Sequence, residues 1–146
     1  MKPSVDKSTV IPAKEKAEIL LRAALSKKAL DPILMRLDRL TSLTDYFLIV
    51  SGRSRKQVKA IAEAMMEDGR KRRFERFSAE GISLGNWALL DYGDVIVHIF
   101  HTPVREFYDL EGLWDEAPRE VFSEDLSREI QAAAQPEEDE EEDEFD

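Results

Sequence analysis

Two apolar runs separated by a polar corner organise the middle of the chain. Residues 87–92 and 95–100 are joined through Asp91-Tyr92-Gly93-Asp94. The corner predicts a hairpin, because glycine takes the positive φ of a short loop and aspartate suits turn positions. The second run is rich in β-branched residues, which fit a pleated surface. Neither run alternates cleanly between apolar and polar. The hairpin is therefore expected to be covered on both faces and to lie centrally in a sheet.

Upstream, Ala17, Leu20, Leu21, Ala24 and Leu25 form a helical stripe over residues 13–29, with Lys27 and Lys28 suited to its C-terminal dipole. Asp31-Pro32 ends that pattern, and partial alternation predicts a strand over 33–40. The continuous run 46–50 predicts a short buried strand. Ser54 is the expected N-cap of a helix over 55–70, with Val58, Ile61, Ala62, Met65 and Met66 inward and Gly69 at its end. Phe74 and Phe77 mark a further strand over 73–79, and 80–86 reads as a loop. After the hairpin, a short helix over 103–114 carries Phe107, Leu110, Leu113 and Trp114 on one side, and 115–118 closes the core.

This order predicts an α/β fold, a mixed five-stranded sheet covered by helices. The strand–helix–strand path from 46 to 79 predicts one right-handed parallel crossover. Residues 1–12 read as a flexible leader, 13–118 as the single domain, 119–135 as a stretch with a marginal helical pattern from 121, and 136–146 as a disordered acidic tail.

Composition narrows the class. No apolar run approaches membrane-spanning length, the first residues lead into no apolar core, and cysteine is absent. A soluble cytoplasmic protein with no membrane contact, disulfide or thiolate metal site is expected. The net charge of −10 is not uniform: nine of the ten residues 137–146 are acidic. Without them, 22 acidic residues face 21 basic ones, so the folded part is near neutral.

Several groups invite chemical readings. Ser51-Gly52-Arg53-Ser54 lies between a strand and a helix, where backbone N–H groups can hold phosphate, yet it lacks the glycines of either nucleotide-binding loop. A tight turn with a capping serine accounts for it. Arg53, Arg55, Lys56 and Lys59 form one basic cluster, and Arg70, Lys71, Arg72, Arg73 and Arg76 another. They bracket one helix and suit RNA phosphates or simply a solvated face. His98 and His101 fall on opposite faces of a continuous strand, which argues against a metal pair. Asp91 and Asp94 flank a turn, where aspartate is expected structurally rather than catalytically. Trp87 opens a strand beside a glycine-containing loop and is either core or an exposed interface anchor. No cofactor is expected.

Three segments together resemble the ribosomal silencing factor family, also called the Iojap family. The first is Thr44-Asp45-Tyr46-Phe47-Leu48-Ile49-Val50-Ser51-Gly52 with Ser54, Gln57-Val58 and Ala60-Ile61-Ala62. The second is Glu80-Gly81, Trp87 and the hairpin from Leu89 to Phe100. The third is Arg105-Glu106-Phe107-Tyr108-Asp109-Leu110-Glu111 with Leu113-Trp114 and Ala117-Pro118. The resemblance implies a nucleotidyltransferase-like architecture without enzymatic activity. It implies binding to the large ribosomal subunit through large-subunit ribosomal protein fourteen. It further implies that occupying that surface blocks the small subunit and represses translation when nutrients are short. It also suggests a homodimer when the factor is free.

Glu80, Trp87, Leu89, Asp91, Asp94 and His98 are the expected ribosomal-protein interface, being polar and aromatic positions in an otherwise apolar hairpin. Arg53, Arg55, Lys56 and Lys59 are the expected rRNA contacts. The alternatives are a nucleotidyltransferase-like enzyme and a general RNA-binding module. Against the enzyme, Gly52 is followed by Arg53, and no paired carboxylates stand on the next strand. The acidic tail is not explained by the resemblance. It is expected to stay in solvent or to pair with a basic ribosomal-protein extension.

Overall fold

The computed structural model describes residues 11–121. Its elements are α1 (Ala13–Ser26), β1 (Leu30–Arg36), β2 (Tyr46–Gly52), α2 (Arg55–Lys71), β3 (Ser78–Glu80), β4 (Trp87–Asp91), β5 (Val95–His101), α3 (Thr102–Tyr108), α4 (Leu110–Leu113) and β6 (Arg119–Val121). The strands form one sheet in the order β3-β4-β5-β2-β1-β6. Only β2 and β5 pair in parallel, and they occupy its centre.

That central pair explains why the sequence fails to alternate there. In β5, Val95, Val97 and Ile99 turn toward α1 and α2, joined by Leu48 and Val50 of β2. Ile96 and Phe100 turn the other way, with Phe47 and Ile49. Both faces are covered, so both parities are apolar. Leu20, Leu21 and Leu25 of α1 and Val58, Ile61 and Met65 of α2 complete the larger core. Fully burying a side chain of this size contributes about 1.5–3 kcal/mol. The smaller core, which includes Met35, Leu37 and Ala117, lies under Val104, Leu110 and Trp114.

The helix starts follow local chemistry. Ser54 Oγ accepts the Gln57 N–H at 3.1 Å, capping α2. The Gln57 side-chain oxygen accepts the Arg53 N–H at 2.6 Å, and its amide nitrogen donates to the Lys27 and Lys28 carbonyls, both at 3.0 Å. One side chain thus ties the start of α2 to the end of α1.

Several expectations are corrected. The sheet has six strands, not five, because Arg119–Val121 pairs with β1. The segment from 121 read as a marginal helix therefore starts on a strand residue, and the rest of it lies outside the described residues, as do 1–10 and the acidic tail. β1 begins at Leu30 rather than Ile33. Asp31 takes φ +50°, and the register shifts between Leu30 and Ile33. This bulge accommodates Pro32, which has no N–H for the ladder. The parallel partner of β2 is β5, not the segment after α2. That segment is strand only over Ser78–Glu80 and pairs antiparallel with β4 at the edge. Gly69 does not end α2 but lies within it, against Tyr92; a Cβ there would sit 3.0 Å from the phenol oxygen.

The predicted helix over 103–114 is two helices. Asp109 stands between them at φ +48°, and its side chain accepts the Gly112 N–H at 3.2 Å as the cap of α4. The break redirects the side chains, so Phe107 and Leu113 are 80% and 75% exposed rather than sharing a buried side with Leu110 and Trp114.

Candidate functional site

The sheet register shows how the hairpin residues are grouped. Glu80, Leu89, His98, Ile49 and Ile33 form one row across five strands. Ser78, Asp91, Ile96, Phe47 and Met35 form the next. Trp87 lies opposite Phe100. Directly opposed residues share a face, so Glu80, Trp87, Leu89, Asp91 and His98 all belong to the face turned away from α1 and α2.

Their exposure differs. Trp87, Leu89 and Asp91 are half-buried and Glu80 is exposed. His98 is only 4% exposed and lies beneath them. The Trp87 ring packs on Phe100 and Tyr108, with centroids 4.7 and 5.0 Å away. Its Nε1–H donates to His98 Nδ1 at 3.1 Å. Phe47 meets the His98 ring edge-on at 4.5 Å. Burial pulls the His98 pKa down to about 4, so the ring is neutral at physiological pH.

Asp94 stands apart from this group. Its carboxylate pairs with Lys16 of α1 at 2.9 Å, on the side of the other helical layer. Its backbone carbonyl accepts the Asp45 and Tyr46 N–H groups at 3.2 and 3.1 Å. Asp91 Oδ1 accepts the Gly93 N–H at 2.8 Å, and Gly93 has φ +87°, as the turn chemistry requires. Both aspartates thus have structural partners in and around the turn.

The first basic cluster falls at one end of the sheet. Arg53, Arg55 and Lys56 are exposed and Lys59 is half-buried at the start of α2. Phe100 registers with Ser51, so Trp87 and Arg53 lie at the same end. His101 Nε2 donates to the Arg53 carbonyl at 3.1 Å, on the opposite face from His98. The two histidines do not meet, and no group of three metal-ligating side chains occurs among the described residues.

Two features were not singled out as site residues from the sequence. Arg105 is buried and donates from Nη1 to Ser51 Oγ and to the Asp31 carbonyl, each at 2.8 Å. Its Nε and Nη2 donate to Glu111 Oε2 at 2.8 and 2.7 Å. This knot fixes α3 and α4 over the sheet. The other is an exposed apolar group beside Trp87: Phe107 with Tyr108, which is 55% exposed. A run of aromatic and charged residues directly after the last apolar strand was the available signal.

Solved structures place this arrangement in a known class of α/β domains. A crystal structure of a Chromobacterium violaceum protein matches with TM-score 0.70 and 32% identity, covering 72% of this chain and 88% of that one. A Bacillus halodurans structure matches with TM-score 0.67 and 34% identity, over 75% and 99% of the two chains. The family model described as ribosomal silencing factor during starvation matches residues 10–146. The chain belongs to that family. It is 36% identical over 104 residues to the ribosomal silencing factor of Halalkalibacterium halodurans, spanning 71% of this chain and 89% of the relative. It is also 37% identical over 98 residues to the chloroplastic protein Iojap of Zea mays, spanning 67% of this chain and 42% of the maize protein.

Proposed function

We propose that this chain is a ribosome-associated repressor of translation. It binds the large subunit through large-subunit ribosomal protein fourteen and sterically blocks the small subunit, on a nucleotidyltransferase-like scaffold used for docking rather than catalysis. The observation that carries the reading, beside family membership, is the half-buried Trp87 on the sheet face turned away from α1 and α2. Leu89 and Asp91 follow it along the same face of β4, Glu80 lies beside Leu89, and the exposed Phe107 and Tyr108 extend it. Interfaces concentrate affinity in aromatic anchors with a polar rim. Blocking a joint requires a rigid surface and sufficient affinity, and no bond need be made or broken.

Arg53, Arg55, Lys56 and Lys59 contact rRNA phosphates at the same end of the sheet as Trp87. Asp94 contributes by holding the turn against α1, and His98 acts from beneath the surface. The free chain self-associates, covering Phe107 and Leu113. This chain acts in the cytoplasm, where it meets ribosomes.

Trp87→Ala tests the anchor. Binding to isolated large subunits is expected to weaken by at least 2 kcal/mol, about thirtyfold, as for a central interface tryptophan. A folded Trp87→Ala variant that binds as tightly as wild type contradicts the assignment.

A further inference from the structure

We infer that His98 is the positioning residue for Trp87: its Nδ1 atom sets the plane of the indole at the docking face before any partner arrives. The inference rests on the reading of Trp87 as anchor. Trp87 and His98 occupy adjacent strands on the same face, and the indole N–H reaches Nδ1 at 3.1 Å. Accepting at Nδ1 leaves the ring proton of neutral histidine on Nε2. That Nε2 atom is buried and has no hydrogen-bond partner among the described residues. An orphaned buried donor is destabilising, and an apolar ring of the same size would avoid it. The slot is walled by Phe47, Phe100 and Trp87, so packing alone favours such a replacement. The imidazole fills this slot despite its orphaned nitrogen, and the nitrogen that is used serves Trp87.

The remaining contacts do not fix the indole by themselves. Phe100 and Tyr108 meet it at interplanar angles of 33° and 46°, neither a close stack nor a T-shaped contact. Ring contacts of this kind permit sliding, whereas an N–H···N bond fixes both depth and rotation. A side chain already ordered in the free protein loses less entropy on docking, which raises affinity without adding a contact. The occupant this suits is a protein surface with an apolar pocket for a preset indole.

The δ position of the acceptor makes the inference testable. Asparagine at 98 places an oxygen near the position of Nδ1, glutamine carries its oxygen one atom further, and phenylalanine keeps the ring without an acceptor. His98→Asn, His98→Gln and His98→Phe are made in full-length protein with Trp114→Phe, so that the Trp87 indole is read alone. Nitrogen-15 NMR on the parent first shows whether His98 Nδ1 is the unprotonated nitrogen and is coupled to the indole N–H. Indole resonance and fluorescence anisotropy are then followed, together with affinity for isolated large subunits.

His98→Asn is expected to keep the indole ordered and the affinity near that of the parent. Glutamine and phenylalanine are expected to mobilise the indole and to weaken binding roughly two- to twelvefold, the range for ordering one side chain. A protonated Nδ1 in the parent overturns the inference, as does a phenylalanine variant whose indole stays as ordered as in the parent. If the indole is mobilised but affinity is unchanged, positioning stands and the anchoring role of Trp87 falls.

Discussion

Acid should destabilise this fold through one buried ring, and the size of the effect can be worked out. His98 is 4% exposed, and its pKa is lowered from 6.5 to about 4 by burial alone. The unfolded chain therefore takes up a proton that the folded chain refuses. The contribution to stability is complete above pH 6.5 and is lost as pH falls toward 4. One pKa unit corresponds to about 1.4 kcal/mol, so linkage gives a loss of about 1.4 kcal/mol at pH 5.5 and about 3 kcal/mol at pH 4. That is a large share of the 5–15 kcal/mol typical of a domain. The assay is urea denaturation by circular dichroism at half-unit steps from pH 7 to 4.5, comparing wild type with His98→Asn. Carboxylates titrate in both proteins and cancel in the difference. Wild type should lose stability more steeply than the variant below pH 6.5. Parallel curves across that window would show that His98 is not buried neutral, and would refute the reasoning.

Other perturbations have defined outcomes. Gly81 has φ +79°, and a Cβ there would sit 2.1 Å from the Trp87 carbonyl oxygen, so Gly81→Ala should cost more than about 2 kcal/mol in thermal or urea unfolding. Arg105→Met leaves Glu111 without its partner under α3 and should cost about 3 kcal/mol, and adding Glu111→Leu should recover part of the loss. Ser54→Ala removes the α2 cap and should cost about 1 kcal/mol by the same measurement. Arg53→Gln with Arg55→Gln should lower the slope of log affinity against log salt for large subunits by about 1.5, if each arginine neutralises one phosphate.

The parts of the fold that were legible are those where one local signal acted alone. Ser54 marked the start of α2 because a cap acts within one turn. Gly93 and its flanking aspartates marked the turn, and the unbroken apolar runs marked the sheet centre. What the sequence hid depended on distant partners. β6 is strand because β1 has an open edge, not because Arg119-Glu120-Val121 has strong strand character. The break at Asp109 could not be read because 103–114 has a helical apolar spacing, and only the cap onto Gly112 reveals the left-handed residue. The parallel partner of β2 was misplaced because nearness in sequence favoured the segment after α2, whereas β5 is the apolar strand able to fill both cores.

The face shared by the β4 residues was legible by parity. Two-residue spacing along β4 puts Trp87, Leu89 and Asp91 on one face, but Asp94 lies beyond the end of the strand and follows the turn to Lys16. The depth of His98 could not be read from the sequence. Phe47, which meets its ring edge-on, comes from β2, about fifty residues earlier in the chain.

The central claim is steric exclusion on the large ribosomal subunit. Its most direct test is sedimentation of purified large subunits, first loaded with this protein and then mixed with small subunits under conditions that favour joining. The account predicts that the protein migrates with large subunits only, and that the joined particle diminishes as loading rises. Joined particles forming at the normal level, with the protein still bound to them, would contradict it.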